Sequence, residues 1–250
     1  MNGKSSKIIL LLAGFALVVA GLAALFGHFT VPVGGTVRGT GEMVSRPIQT
    51  EDFTAINISG FYHVTYRQAR SSSITVEMQE NLFEYLQISV ENGTLIVDSR
   101  RTFRTNGANT PRLYIDAPFL EGIRIAGAVS TGDWDTINAE RFSISVAGAS
   151  EMTIPMEVER LDVRIAGGAS LTLSGEVDTA ELSAAGAADV SAGRLQTRDA
   201  DISITGAGSV TIAASDNLNV SIAGAGSVRY IGDPAVTQSI LGAGSVERAS

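Results

Sequence analysis

The chain has 250 residues, no cysteine, one tryptophan, 44% apolar and 18% charged residues, and a net charge of −8. So much apolar content excludes a disordered acidic chain, and zero cysteine excludes disulfide staples, thiolate catalysis and Cys-ligated metal sites. Both lysines, Lys4 and Lys7, precede residue 8. The rest of the chain sets 16 arginines against 26 acids. A body that acidic repels a phosphate backbone, so no nucleic-acid partner is expected, and without lysine it has no Schiff-base chemistry.

Residues 8–27 (IILLLAGFALVVAGLAALFG) carry no charge over twenty positions. As a helix they would measure about 30 Å, the thickness of a bilayer's hydrocarbon core. Lys4 and Lys7 lie before this run, and the first basic residue after it is Arg38. The expectation is therefore an N-terminal transmembrane helix over residues 1–27, acting as a signal anchor. It would place the C-terminal body outside the cytoplasm as a single-pass membrane protein; the alternative is secretion after signal-peptide cleavage. Residues 28–50, rich in glycine and proline, are expected to form a tether or entry strand.

From residue 51 onward the signals are those of strands. ITVEM (74–78), LQISV (86–90), TLIVDS (94–99) and RLYID (112–116) alternate with period two, Asn92-Gly93 marks a two-residue turn, and ENLFEYL (80–86) suits one short helical turn. After residue 121 a repeat takes over: GIRIAGAVS, SISVAGASE, DVRIAGGAS, ELSAAGAAD, DISITGAGS, NVSIAGAGS and TQSILGAGS. Its corner glycines are Gly127, Gly148, Gly167, Gly186, Gly206, Gly224 and Gly242, at intervals of 18 to 21 residues. Apolar residues alternate before each glycine, as in Phe142, Ile144 and Val146, and the same face resumes after it. Strands with small residues at every corner, repeating about every 19 residues, predict one coil of a parallel β-helix per unit. Ile58-Ser59-Gly60 resembles the same corner. The expected fold is therefore all-β. It is a parallel β-helical solenoid over residues 51–250, irregular over 51–120 and regular over 121–250, preceded by the one transmembrane helix.

FTAINISGFYHVTYRQ, ITVEMQENLFEYLQISVENGTLIV, APFLEGIRIAG and the serial GAGSV corners, in this order, resemble the GIN-domain family, described as auto-transporter adhesin head domains. The resemblance spans residues 40–250. It implies a bacterial envelope protein with a β-helical body and an adhesive role, and it brings no catalytic residues.

Candidate sites are few. His28 and His63 stand apart from other ligand-type residues, so no metal or cofactor is expected. Asp162, Glu181 and Asp201 share one outward position in successive units and form an acidic stripe. Trp134, between Asp133 and Asp135, is the candidate for an exposed sugar platform. Arg100, Arg101 and Arg104 form the one basic cluster and would contact an anionic wall polymer. The last unit exposes strand edges, so self-association through the C-terminal coil is expected, or cover by a partner. The expected function is a non-enzymatic, membrane-anchored adhesion module that binds an envelope glycan or protein. The alternatives are a scaffold for another envelope protein and, disfavoured by the missing lysine and histidine, a polysaccharide-active enzyme.

Overall fold

The computed structural model describes residues 35–106 and 109–249, which belong to one compact unit, Pro32–Ser250. Fifteen strands follow in order: β1 Val37–Arg38, β2 Met43–Ile48, β3 Ala55–Gln68, β4 Ser73–Gln79, β5 Leu86–Glu91, β6 Thr94–Ser99, β7 Phe103–Arg104, β8 Arg112–Ala117, β9 Gly122–Trp134, β10 Ile137–Gly186, β11 Asp189–Gly206, β12 Ser209–Gly224, β13 Ser227–Ile231, β14 Ala235–Gly242 and β15 Ser245–Arg248. A short 3-10 helix, Glu80–Tyr85, links β4 to β5.

From β9 on, all pairing between strands is parallel. Ile123 lies beside Ile144, Leu182 beside Ile202 and Ile202 beside Val220, and Ala184 beside Ile204 and Ile204 beside Ile222. Residue pairs 18 to 21 apart stack rung on rung because the apolar alternation repeats at that interval, so each inward side chain finds its equivalent in the next rung. These rows are almost wholly buried and form one continuous core.

The glycines make the corner. Gly148 and Gly206 adopt φ of +133° and +125°, a conformation side chains rarely take. A Cβ at Gly206 would also run into the Gly186 carbonyl, which already accepts a hydrogen bond from Ala207 N at 2.9 Å. The column begins one unit earlier than the regular repeat, for Gly60 is the register partner of Gly127.

The first part of the unit is built differently, and here the expected fold is corrected. A β-helix through residues 51–250 is not what the strands before β9 form. β2 pairs antiparallel with β4, β4 with β8, and β5 with β6. The local cause is plain for β5 and β6. Asn92 (φ 50°) and Gly93 (φ 73°) make a two-residue turn that reverses the chain on itself. β3 joins the two regions. One edge pairs with β9, and the other pairs with β6 through Ala55–Ile58 and with β8 through His63–Gln68, all in parallel.

The segment expected to form the transmembrane helix, within residues 1–27, lies outside the described residues. Among the described residues no helix is long and apolar enough to cross a membrane, so the described fold is all-β and lends that expectation no support.

Candidate binding surface

On the outer face of the ladder, two columns of short polar side chains stand side by side. Glu181, Asp201, Asn219 and Thr237 are register partners in turn, as are Ser183, Ser203, Ser221 and Ser239. They face outward because the residues between them, such as Leu182, Ile202 and Val220, face the core. Together they line an open groove of about 400 Å³. No bulky side chain interrupts it, so the rung spacing of about 4.8 Å sets the spacing of its polar groups.

Hydrogen bonding along the groove is sparse. Asn219 Nδ2 donates to Asp201 Oδ1 at 2.8 Å, and on the neighbouring column Asn217 Nδ2 donates to Asp199 Oδ1 at 2.6 Å. Among the described residues, no hydrogen bond links one serine of the column to the next. The four serines line the groove.

The columns change character toward β9. Near β9, Ser145 and Arg124 are register partners, and Arg124 in turn pairs with Asn57. Asp162 of the acidic stripe is neutralised by Arg164, Nη1 to Oδ1 at 2.7 Å. The stripe is thus broken into a paired carboxylate, a free-standing Glu181 and the amide-bonded Asp201. A second depression of about 390 Å³ has Glu140, Glu157, Glu159, Glu176 and Asp178 among its lining residues, and these acids repel an anionic ligand.

Trp134 is a core residue, which corrects its role as an exposed sugar platform. Its side chain is 8% exposed, its ring packs 5.5 Å from that of Tyr66, and Nε1 donates to the Val64 carbonyl at 3.0 Å. The pairing of β3 with β9 slips between Val64 and Tyr66, and the indole occupies the carbonyl that this bulge releases from the ladder. Asp135, beside it, accepts from Gln68 N at 2.8 Å. His63 Nδ1 lies 3.0 Å from Ser130 Oγ.

Arg100, Arg101 and Arg104 are exposed, on the turn between β6 and β7 and on β7 itself. The Arg101 guanidinium sits 5.8 Å above the Tyr85 ring. None of the three forms an ion pair among the described residues. β1 pairs with β7 in parallel, placing Arg38 beside Arg104. Arg38 is a fourth member that the sequence did not reveal, because it lies in a stretch with no repeat and the pairing spans 66 residues. Phe103, buried against Phe61, holds this turn to the core.

The domain is thus all-β, with stacked glycine corners, a polar outer groove and an exposed basic turn. The chain belongs to the family described as "Putative auto-transporter adhesin, head GIN domain", whose profile matches residues 52–234. Solved structures share the fold. A "putative adhesin" from Bacteroides fragilis NCTC 9343 is 20% identical, with a TM-score of 0.78, over 85% of this chain and 100% of that one. A "putative adhesin" from Parabacteroides merdae ATCC 43184 is 21% identical, with a TM-score of 0.65, over 87% and 100%. A "Putative lipid binding protein" from Parabacteroides distasonis ATCC 8503 is 21% identical, with a TM-score of 0.62, over 86% and 100%. No curated protein matches the chain. Both the family and these neighbours carry names of adhesins or binding proteins, not of enzymes.

Proposed function

We propose that the protein is a non-enzymatic adhesion module of the bacterial cell envelope, working outside the cytoplasm and gripping a repeating hydroxylated polymer, an envelope glycan, along the polar groove. The observation that carries this reading is the double column of Glu181, Asp201, Asn219 and Thr237 beside Ser183, Ser203, Ser221 and Ser239. Carboxylates accept hydrogen bonds from sugar hydroxyls, while serine and asparagine both donate and accept. Each contact is weak. Repetition along one rigid ladder makes their sum a multivalent one, which suits a polymer better than a single sugar. Membership in an adhesin head family supports an extracytoplasmic site of action.

The test is co-sedimentation of the full chain with isolated envelope glycan at low and high salt. The expected result is saturable binding that changes little with salt and falls at least tenfold when Ser203 and Ser221 are both replaced by valine. Absence of binding at either salt overturns the reading. A second reading rests on the Arg38–Arg104 pairing beside Arg100 and Arg101. Here the ligand is an anionic wall polymer, binding is lost at high salt, and Arg101→Ala with Arg104→Ala removes it while the serine variants do not. Co-purification of one envelope protein, with no glycan bound, would favour a scaffold.

A further inference from the structure

Five large apolar side chains are exposed among the described residues, and four of them crowd one end of the ladder: Ile231, Val236, Ile240 and Leu241. β14 stacks on β12 in register, with Val236 over Leu218, Gln238 over Val220 and Ile240 over Ile222. The lower three are buried, whereas Val236 and Ile240 are each 38% exposed although they occupy the inward row. The other edge of β14 pairs with no strand among the described residues. Its eight residues, AVTQSILG, carry no charge. Exposed strand edges are ordinarily guarded by charge or proline, and this one has neither.

The surroundings are electrically balanced. Arg248 pairs with Asp233 at 3.2 Å, and Arg229 is the register partner of Glu247. In a molecule of net charge −8, this end offers a neutral approach between two like bodies.

We propose that this end docks a second copy of the chain, with β14 pairing antiparallel to its equivalent about a two-fold axis at Gln238. That axis sets Val236 opposite Ile240 of the second copy on the inward face, twice over, and Thr237 opposite Ser239 on the outward face. Gln238 meets itself. The inward column beneath it is apolar, as Val220, Ile202 and Leu182. An amide at the top of that column is costly against any apolar partner. Against its own copy, each amide donates to and accepts from the other. A single polar residue in an apolar seam fixes register and partner, as buried asparagine does in helical zippers. An isologous contact closes at two copies.

The chain's lack of cysteine makes the test clean. In the full chain, Gln238→Cys places two thiols face to face, and mild oxidation is expected to give a covalent dimer on a non-reducing gel. Ser183→Cys, on the groove, stays monomeric under the same oxidation. Sedimentation of the unaltered chain is expected to show concentration-dependent doubling of mass. Ile240→Glu, which sets a carboxylate against the apolar row, weakens that association at least tenfold. The proposal is overturned by a constant monomer mass, by association that Ile240→Glu leaves unchanged, or by open-ended polymers in place of a dimer. If Gln238→Cys fails to fold, the sedimentation pair decides alone.

Discussion

The strands before β9 and those after it bury their apolar residues by different means. The first region reverses its chain, mixes parallel with antiparallel pairs and fills its core with large rings, among them Phe53, Tyr62 and Tyr66. The second pairs its strands in parallel and fills its core mainly with aliphatic rows, Phe142 being the exception. Large rings reach across an irregular interior, whereas stacked rungs leave one side chain's width per level and favour Ile, Val, Leu and Ala. The difference shows that regularity is imposed by the corner. Where every corner is a glycine beneath another glycine, each rung must copy the one before it.

The sharpest way to break the comparison is to put the same methyl group on a glycine in each region. Gly206 and Gly93 both have positive φ, at 125° and 73°. A Cβ at Gly206 meets the Gly186 backbone, while at Gly93 nothing lies within 4 Å. Gly93→Ala should cost about 1 kcal/mol, the conformational part alone. Gly206→Ala adds displacement of stacked backbone and should cost about 3 kcal/mol or more. Urea titration of both variants measures the gap, and equal losses would refute the corner argument.

Alkaline pH separates the regions next. Burial, with Asp135 adding to it, pushes the Tyr66 phenol from 10.0 up to about 12, and burial with Asp98 raises Tyr62 further. A raised phenol favours the folded state fully below the unfolded pKa of about 10, and that contribution is lost as pH rises through the folded value. Stability should therefore decline from about pH 10 upward, and hydrogen exchange should show β3 opening before β11 and β12. Tyr66→Phe should flatten the decline. Loss starting in β12 would contradict the assignment.

A smaller effect tests the junction. Trp134→Phe keeps a ring against Tyr66 but leaves the Val64 carbonyl unsatisfied inside the bulge, and should cost about 1–3 kcal/mol. Thermal melts of the variant measure it. No change would mean that the bulge is held by packing alone.

Much of the second region was legible in the sequence, for a physical reason. A position that excludes every side chain but hydrogen leaves a glycine at each recurrence, so Gly127 to Gly242 announced the corners and Ile58-Ser59-Gly60 announced an earlier one. Outward Ser183, Ser203 and Ser221 were legible by the same period. The first region was not, because period two says that a segment is a strand but not which strand it joins or in which direction. Val76 and Ile115 alternate identically whether β4 and β8 run parallel or antiparallel. Trp134 between two aspartates suggested an exposed loop. A released carbonyl 70 residues away decided its place, and no local pattern records that. Arg38 escaped for the same reason, its strand partner Arg104 lying 66 residues away.

The finest distinction concerns how each region ties its outer face. In the first, Glu77 on β4 takes both carboxylate oxygens to Arg112 Nη1, at 3.2 and 3.1 Å, and accepts from the Tyr114 hydroxyl at 3.0 Å, joining two antiparallel strands through one carboxylate. The hydrogen bond and charge of Glu77 hold the Arg112 proton more tightly; burial and then Glu77 raise the Tyr114 phenol. In the second, an outer tie such as that from Asn219 to Asp201, at 2.8 Å, is a single exposed bond. Half-buried Glu77, with three bonds, is worth more than one solvated amide. Glu77→Gln should cost about 1 kcal/mol, and Asn219→Ala at most about 0.5 kcal/mol. Denaturant midpoints of the two variants give the order, and added salt should narrow the gap, because only the Glu77 tie carries a full charge pair. If Asn219→Ala proved the costlier, the ladder's outer bonds would be part of what holds the rungs together, and the groove could not be altered for ligand tests without a stability control.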